Sequence, residues 1–373
     1  MILDFLLALI VFAFIITIVV SAHEFGHFLG AKKTKTKVTE FAIGFPPFIW
    51  KKQIGETLFA IGSIPFGGYN KIYGESEPVD NQKDPSSFTS KTTFQKFIII
   101  ISGVVGNFLL SILLFYIILF SSNLNSSVGL INPEYKFPFG HQENYLLIGD
   151  VKEDSPAHLS GINKDEFILE INETRVQSAN ELNTILEQTK GEVIRVLTKQ
   201  RETNLETVHT IDNKEAWLGI GYTSIANISY NSNLKDKVFS GAMHTYNFAD
   251  YSLKTLGGII ADSFKAKDAS IATNAIAGPV GIFAITKISL GEGFMHMLNL
   301  TAIISLALAI TNLLPLPALD GGKCVYLFFQ KINPKVFTDE LSEKIDSAGF
   351  ILLMCLGVLI IIKDIFQFKD FIF

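Results

Sequence analysis

Three stretches of the chain are nearly free of charge: about 5–31, 94–120 and 294–316. Each is long enough to cross a hydrocarbon core about 30 Å thick as a helix. A fourth, about 348–362, is shorter and spans with local thinning or flanking anchors. The first 20 residues are expected to be retained rather than cleaved as a signal. Their only charge is Asp4, and the apolar run continues straight into His23-Glu24. Between the first two stretches, residues 51–73 mix β-type side chains with glycines and Pro65. This predicts short strands with a glycine-rich turn, and such backbone beside a membrane has to border protein or a watery cavity.

From about 125 to 213 the pattern changes to short alternating apolar runs, such as Leu146-Leu147-Ile148, with a helical stretch at 179–189. That is the signature of a small soluble α+β domain. Residues 236–264 are interrupted by Lys237, His244, Asp250, Lys254 and Asp262. They read as an amphipathic segment lying on the outer membrane surface. The expected domains are 1–124, a first membrane half; 125–213, the soluble domain; 214–293, an extracytoplasmic amphipathic linker; and 294–373, a second membrane half.

Lysines set the orientation. Lys32, Lys33, Lys35 and Lys37 follow the first stretch, Lys91 and Lys96 precede the second, and Lys323, Lys331 and Lys335 follow the third. All three clusters fall on the cytoplasmic side if both termini and residues 121–293 are outside. The chain has 373 residues, 18% of them charged, and 32 phenylalanines, which fits a membrane protein carrying a soluble part. A net charge of -5 gives no reason to expect nucleic acid as a partner. Two cysteines, Cys324 and Cys355, exclude a disulfide scaffold.

His23 and His27 lie four residues apart at the end of the first stretch. On a helix their imidazoles share a face and can reach one ion. Neutral imidazole suits Zn²⁺, and a catalytic zinc keeps one position for water. Glu24 is offset from the ligand row and close enough to act as general base, passing the water's proton to a leaving amine. Ionisable residues are costly at the end of an apolar helix and mark function there. A third ligand is needed, and the best candidate is Asp320, beyond Pro315 and Pro317 on the side where the first helix ends. The competing reading of Asp320 is a solvated residue at a helix end with a glycine stop. His141, His158, His209, His244 and His296 are read as non-ligands.

These motifs, taken in order, resemble the site-2 protease family of intramembrane zinc metalloproteases, of the bacterial regulator-of-sigma-E type. His23-Glu24-Phe25-Gly26-His27 is similar to the family's HExGH, and Gly67-Gly68-Tyr69 to the glycine-rich end of its membrane-associated β-hairpin. Gly278-Pro279-Val280-Gly281-Ile282 is similar to a segment before the third helix, and residues 312–322 to NxxPxPxLDGG. The resemblance implies zinc on His23, His27 and Asp320, with Glu24 as base and Asn312 holding the substrate or its developing oxyanion. Gly67 and Gly68 would belong to a hairpin that pairs with or guides an extended substrate.

The soluble part resembles a circularly permuted PDZ domain through residues 154–162 and 168–172, a kind of domain that binds peptides by strand addition. Lys164-Asp165 stands where Gly-Asp is usual, and Glu173 where glycine often follows Ile-Asn. The implied fold is an α-helical membrane protein with four transmembrane helices, a membrane-associated β-hairpin and one inserted α+β PDZ domain. The implied partners are the lipid bilayer and a single-pass transmembrane substrate, such as an anti-sigma factor or signal-peptide remnant, already trimmed by another protease. The implied location is the bacterial inner membrane. Two rival classes are a membrane metal transporter or sensor, which has no need of Glu24 beside His23, and a catalytically idle PDZ-bearing binding protein.

Overall fold

A computed structural model describes residues 2–75, 84–201 and 203–372. The chain divides into two compact units, one formed by residues 1–118 with 256–373 and one by 119–255. Helix α1 (Ile2–Lys33) leads into a hairpin of β1 (Val38–Ile54) and β2 (Thr57–Ile72), followed by α2 (Thr93–Ser121). The hairpin begins well before the stretch that its glycines mark, because Val38 to Ile43 are also β-type. It folds over on itself: Ala42 pairs with both Tyr69 and Ala60, while Lys51 pairs with Ala60 from the other side. This curling satisfies main-chain groups that a flat two-stranded ribbon would leave bare.

The second unit is built from β3 (Asn125–Leu130), β4 (His141–Val151), α3 (Pro156–Leu159), β5 (Glu166–Ile171), β6 (Thr174–Arg175), α4 (Ala179–Gln188), β7 (Val193–Gln200), β8 (Glu206–Asp212) and β9 (Ile220–Ser229). The strands form one sheet in the order β3-β9-β4-β5-β7-β8, with β6 on β5. Leu182 and Leu186 of α4 pack on Leu146, Ile148, Ile168, Ile171, Ile194 and Val196. Asp165 and Glu173, the two non-glycine turn residues, both adopt left-handed backbone, with φ of 64° and 63°.

Helix α5 (Leu234–Ala266) runs across the boundary between the units. Its first half is docked rather than free. His244, Asn247 and Tyr251 are buried, and Asn247 bonds both the N–H and the carbonyl of Phe139 as well as the Tyr230 hydroxyl. Five helices follow: α6 (Ala269–Ala275), α7 (Pro279–Glu292), α8 (Phe294–Leu313), α9 (Asp320–Ile332) and α10 (Asp339–Ile372).

Four helices among the described residues are long and apolar enough to cross a membrane: 3–33, 93–121, 294–313 and 339–369. The third ends before Pro315, where the helix loses its next donors. The fourth is longer than its apolar run because polar residues extend the helix at both ends. Helices α6 and α7 meet at 47° and together are long and apolar enough for a broken span or a re-entrant element. Helix α7 packs Phe283 and Ala284 on Phe5, Ala8 and Phe12 of α1.

Candidate metal centre

Helix α1 puts His23, Glu24 and His27 in its last turns, and α2 passes directly over them. The two backbones meet through glycines. A Cβ on Gly26 would sit 2.0 Å from the Ser102 carbonyl, and one on Gly106 2.4 Å from the Ala22 carbonyl. A Cβ on Gly103 would lie 2.3 Å from His27 Nε2 and 2.8 Å from His23 Cε1. Small residues permit this approach where lipid supplies no hydrophobic drive between helices. The Gly26-x-x-x-Gly30 spacing was the signal available in the sequence.

Asp320 arrives from the other end of the chain. After α8 the backbone reverses through Pro315 and Pro317, and Ala318 takes a left-handed conformation with φ 68°. The Ala318 N–H donates to Asp346 Oδ1 of α10 at 3.2 Å. The reversal is tight enough to require the next two glycines. A Cβ on Gly321 would fall 2.4 Å from the Leu313 carbonyl, and one on Gly322 2.0 Å from that of Leu316. Asp320 then opens α9 and is buried. One turn on, Lys323 pairs with Glu75 at 3.0 Å, and that carboxylate holds the ammonium above its usual range.

The three side chains converge. Asp320 Oδ2 lies 3.2 Å from His23 Nε2 and 3.3 Å from His27 Nε2, and the two Nε2 atoms are 3.1 Å apart. His27 Nδ1 is 2.9 Å from the Ile99 carbonyl. A carbonyl only accepts, so Nδ1 carries the proton and Nε2 presents its lone pair. Asp320 Oδ2 is buried without a hydrogen bond. Two imidazole nitrogens and a buried carboxylate oxygen turned toward one point are mutually unfavourable unless a metal cation or a shared proton lies between them. Two imidazoles and one carboxylate are a donor set that fits zinc and leaves a position for water.

The other sequence-derived positions lie around this cluster. Glu24 is half-buried on the same turn, its carboxylate in no hydrogen bond or ion pair among the described residues. Asn312 is half-buried in the last turn of α8. Gly67 and Gly68 lie on β2, where the atoms nearest an added Cβ belong to Val20 and Phe45 for Gly67 and to Ala42 and Ile43 for Gly68. Gly67 has φ 115°, its N–H is 3.4 Å from Thr17 Oγ1, and a Cβ there would meet Val20 Cγ1 at 3.5 Å. The Thr17 hydroxyl also reaches the Pro65 carbonyl at 2.5 Å, so the hairpin is tied along α1. Gly103 and the Ile99 carbonyl escaped the sequence reading, since neither bears a side chain with chemistry of its own. Among the other histidines, His244 is buried against Tyr230 and His209 bonds Thr198 and the Ser160 carbonyl.

Residues 11–356 match the model of Peptidase family M50. A zinc metalloprotease by name from Clostridium acetobutylicum is 31% identical over 97% of each chain. The zinc metalloprotease RasP of Oceanobacillus iheyensis is 24% identical, covering 95% of this chain and 98% of its own. The regulator of sigma E protease of Haemophilus influenzae is 25% identical over 97% and 99%. With a match over nearly the whole chain, this membrane protein belongs to Peptidase family M50, the site-2 protease family, and is a metalloprotease whose cofactor is zinc.

Proposed function

We propose that the protein cuts single-pass membrane proteins within the bilayer, at a zinc held by His23, His27 and Asp320. The convergence of His23 Nε2, His27 Nε2 and Asp320 Oδ2, from opposite ends of the chain, carries this reading. Zinc, when bound, supplies Lewis acidity that acidifies water and polarises the scissile carbonyl. Glu24 takes the proton from the attacking water and delivers it to the leaving amine as the C–N bond breaks. The Asn312 amide donates to the oxygen that gains charge. The substrate has to unwind, because an intact helix hides its carbonyls in internal bonds. Its extended segment is guided by the hairpin, with Gly67 and Gly68 permitting close approach.

Residues 125–213, completed by β9 from the following segment, act as a PDZ domain outside the cytoplasm and reject substrates not yet trimmed by a first protease. Residues 214–293 contribute β9 to that domain and then link it to the second membrane half. The lysine clusters put the metal site at the cytoplasmic side of a bacterial inner membrane, with the PDZ domain on the opposite side. Anti-sigma factors and signal-peptide remnants are the substrate classes to try first.

The test compares wild type with Glu24→Gln, each purified and assayed for bound zinc and for cleavage of a model transmembrane peptide. Zinc in both and cleavage only in wild type is the expected outcome. Cleavage by Glu24→Gln at the wild-type rate would remove Glu24 from its role. Absence of zinc from wild type would remove the metal site.

A further inference from the structure

Among the described residues, His27 has an orienting partner and His23 does not. His23 Nδ1 is buried with no hydrogen-bond partner among the described residues. A histidine that binds metal through Nε2 carries a proton on Nδ1, and metal sites almost always give that proton an acceptor. In the same three-helix junction, Asn107 is fully buried, and both its Oδ1 and its Nδ2 lack a partner. An orphaned carboxamide inside a membrane protein is expensive.

Helix register relates the two. Helices α1 and α2 run antiparallel, with Gly30 against Ile99 and Ser102, Gly26 against Ser102 and Gly103, and Ala22 against Gly106. A step back along α1 is therefore a step forward along α2. His27 finds its acceptor at Ile99, so His23, one turn back, faces the stripe that begins at Gly103. Gly103 has no side chain, and the next residue one turn along that stripe is Asn107. From the third side, Ser305 of α8 donates to the Asn107 main-chain carbonyl at 3.0 Å and fixes this turn of α2.

We infer that Asn107 is the positioning residue for His23. Its carboxamide oxygen accepts the Nδ1 proton, directly or through one water, and so holds the ring with Nε2 toward the metal. This rests on the metal reading of His23, His27 and Asp320.

The test uses the full-length protein in detergent and zinc itself as the probe, with the dissociation constant read by competition against a chromogenic chelator. Asn107→Leu and Asn107→Ala remove the acceptor, and each weakens zinc binding about 10- to 100-fold. Asn107→Asp keeps an acceptor oxygen and stays within a few-fold of wild type. The cobalt-substituted absorption spectrum shifts in the Leu and Ala variants and not in the Asp variant. Should Leu disturb helix packing, Ala, which cannot clash, decides alone. Wild-type affinity in the Ala variant, while His23→Ala loses zinc, overturns the assignment and leaves the metal site standing. Wild-type affinity in His23→Ala as well overturns the metal site and this assignment with it.

Discussion

Gly103 and His27 share a space that admits no methyl group, since a Cβ on Gly103 would lie 2.3 Å from His27 Nε2. The imidazole cannot swing aside without giving up its bond to the Ile99 carbonyl, 2.9 Å away. Gly103→Ala should therefore fold and insert yet bind zinc at least tenfold more weakly, on the scale of losing an outer-shell partner. Metal analysis after equilibrium dialysis reads this directly. Wild-type zinc content in the Ala variant would mean that the two helices separate more easily than their glycine contacts imply.

Among the described residues, Asp320 is the only converging donor from the second half of the chain. Asp320→Ala should abolish stoichiometric zinc and cleavage together. Asp320→Asn keeps an oxygen but loses the charge, so it should retain weakened binding. Exhaustive chelation of wild type should likewise stop cleavage, and added zinc should restore it. An Asp320→Ala variant that keeps both zinc and activity would dissolve the proposed ligand set.

A buried carboxylate explains the Gly278-Pro279-Val280-Gly281 segment. Asp364 Oδ2 accepts from the N–H groups of Gly278 and Gly281, at 2.9 and 2.7 Å. It is an N-terminal cap for α7 supplied by a different helix. Asp364→Leu should destabilise the fold by about 1–3 kcal/mol for each N–H left unsatisfied. Asp364→Asn, which keeps an acceptor, should cost less. Thermal unfolding in detergent measures both, and equal melting temperatures for Leu and wild type would contradict the cap.

His244 makes the sheet-bearing unit sensitive to acid. Burial pushes its pKa down to about 3, and its Nδ1 is 2.9 Å from the Tyr230 hydroxyl. The folded state thus stays unprotonated at pH values where the unfolded chain, with a histidine pKa near 6.5, takes up a proton. Stability is full above about pH 6.5 and falls as pH drops toward 3, by on the order of 1 kcal/mol per pH unit. Hydrogen exchange of amides in α5 and β9, compared at pH 7.5 and 5, should show faster opening at the lower pH. His244→Phe should flatten that dependence. An unchanged slope in the variant would place the acid sensitivity elsewhere.

The sequence made the candidate site more legible than the packing. His23, Glu24, His27 and Asp320 carry rare side chains in an apolar setting, so their positions stood out without any knowledge of contacts. The spans were legible for the same reason, each being a long departure from mean polarity. What stayed hidden depends on neighbours distant in the chain. Gly103 matters through the rings it lets in, Asp364 through two N–H groups of α7, and Val38–Ile43 through strands that lie on both sides of it. The docked half of α5 reads as a surface helix because its polar residues are buried in bonds to Phe139 and Tyr230.

The hairpin is fastened to α1 at two heights, and these serve as a depth gauge. At its tip Glu56 pairs with Lys32 at 2.8 Å, and at its far bend Pro65 meets Thr17. At about 1.5 Å per helical residue, the two contacts are separated by roughly 20 Å along the helix axis. Trp50, Lys51 and Lys52, near the tip, are residue types that settle at the headgroup layer. With the tip at that layer, the separation corresponds to about two thirds of a 30 Å hydrocarbon core. Non-helical backbone survives at such depth only with protein on its flanks. The doubling of β1 onto both runs of β2 supplies part of that wall from within the hairpin, and α1 supplies the rest.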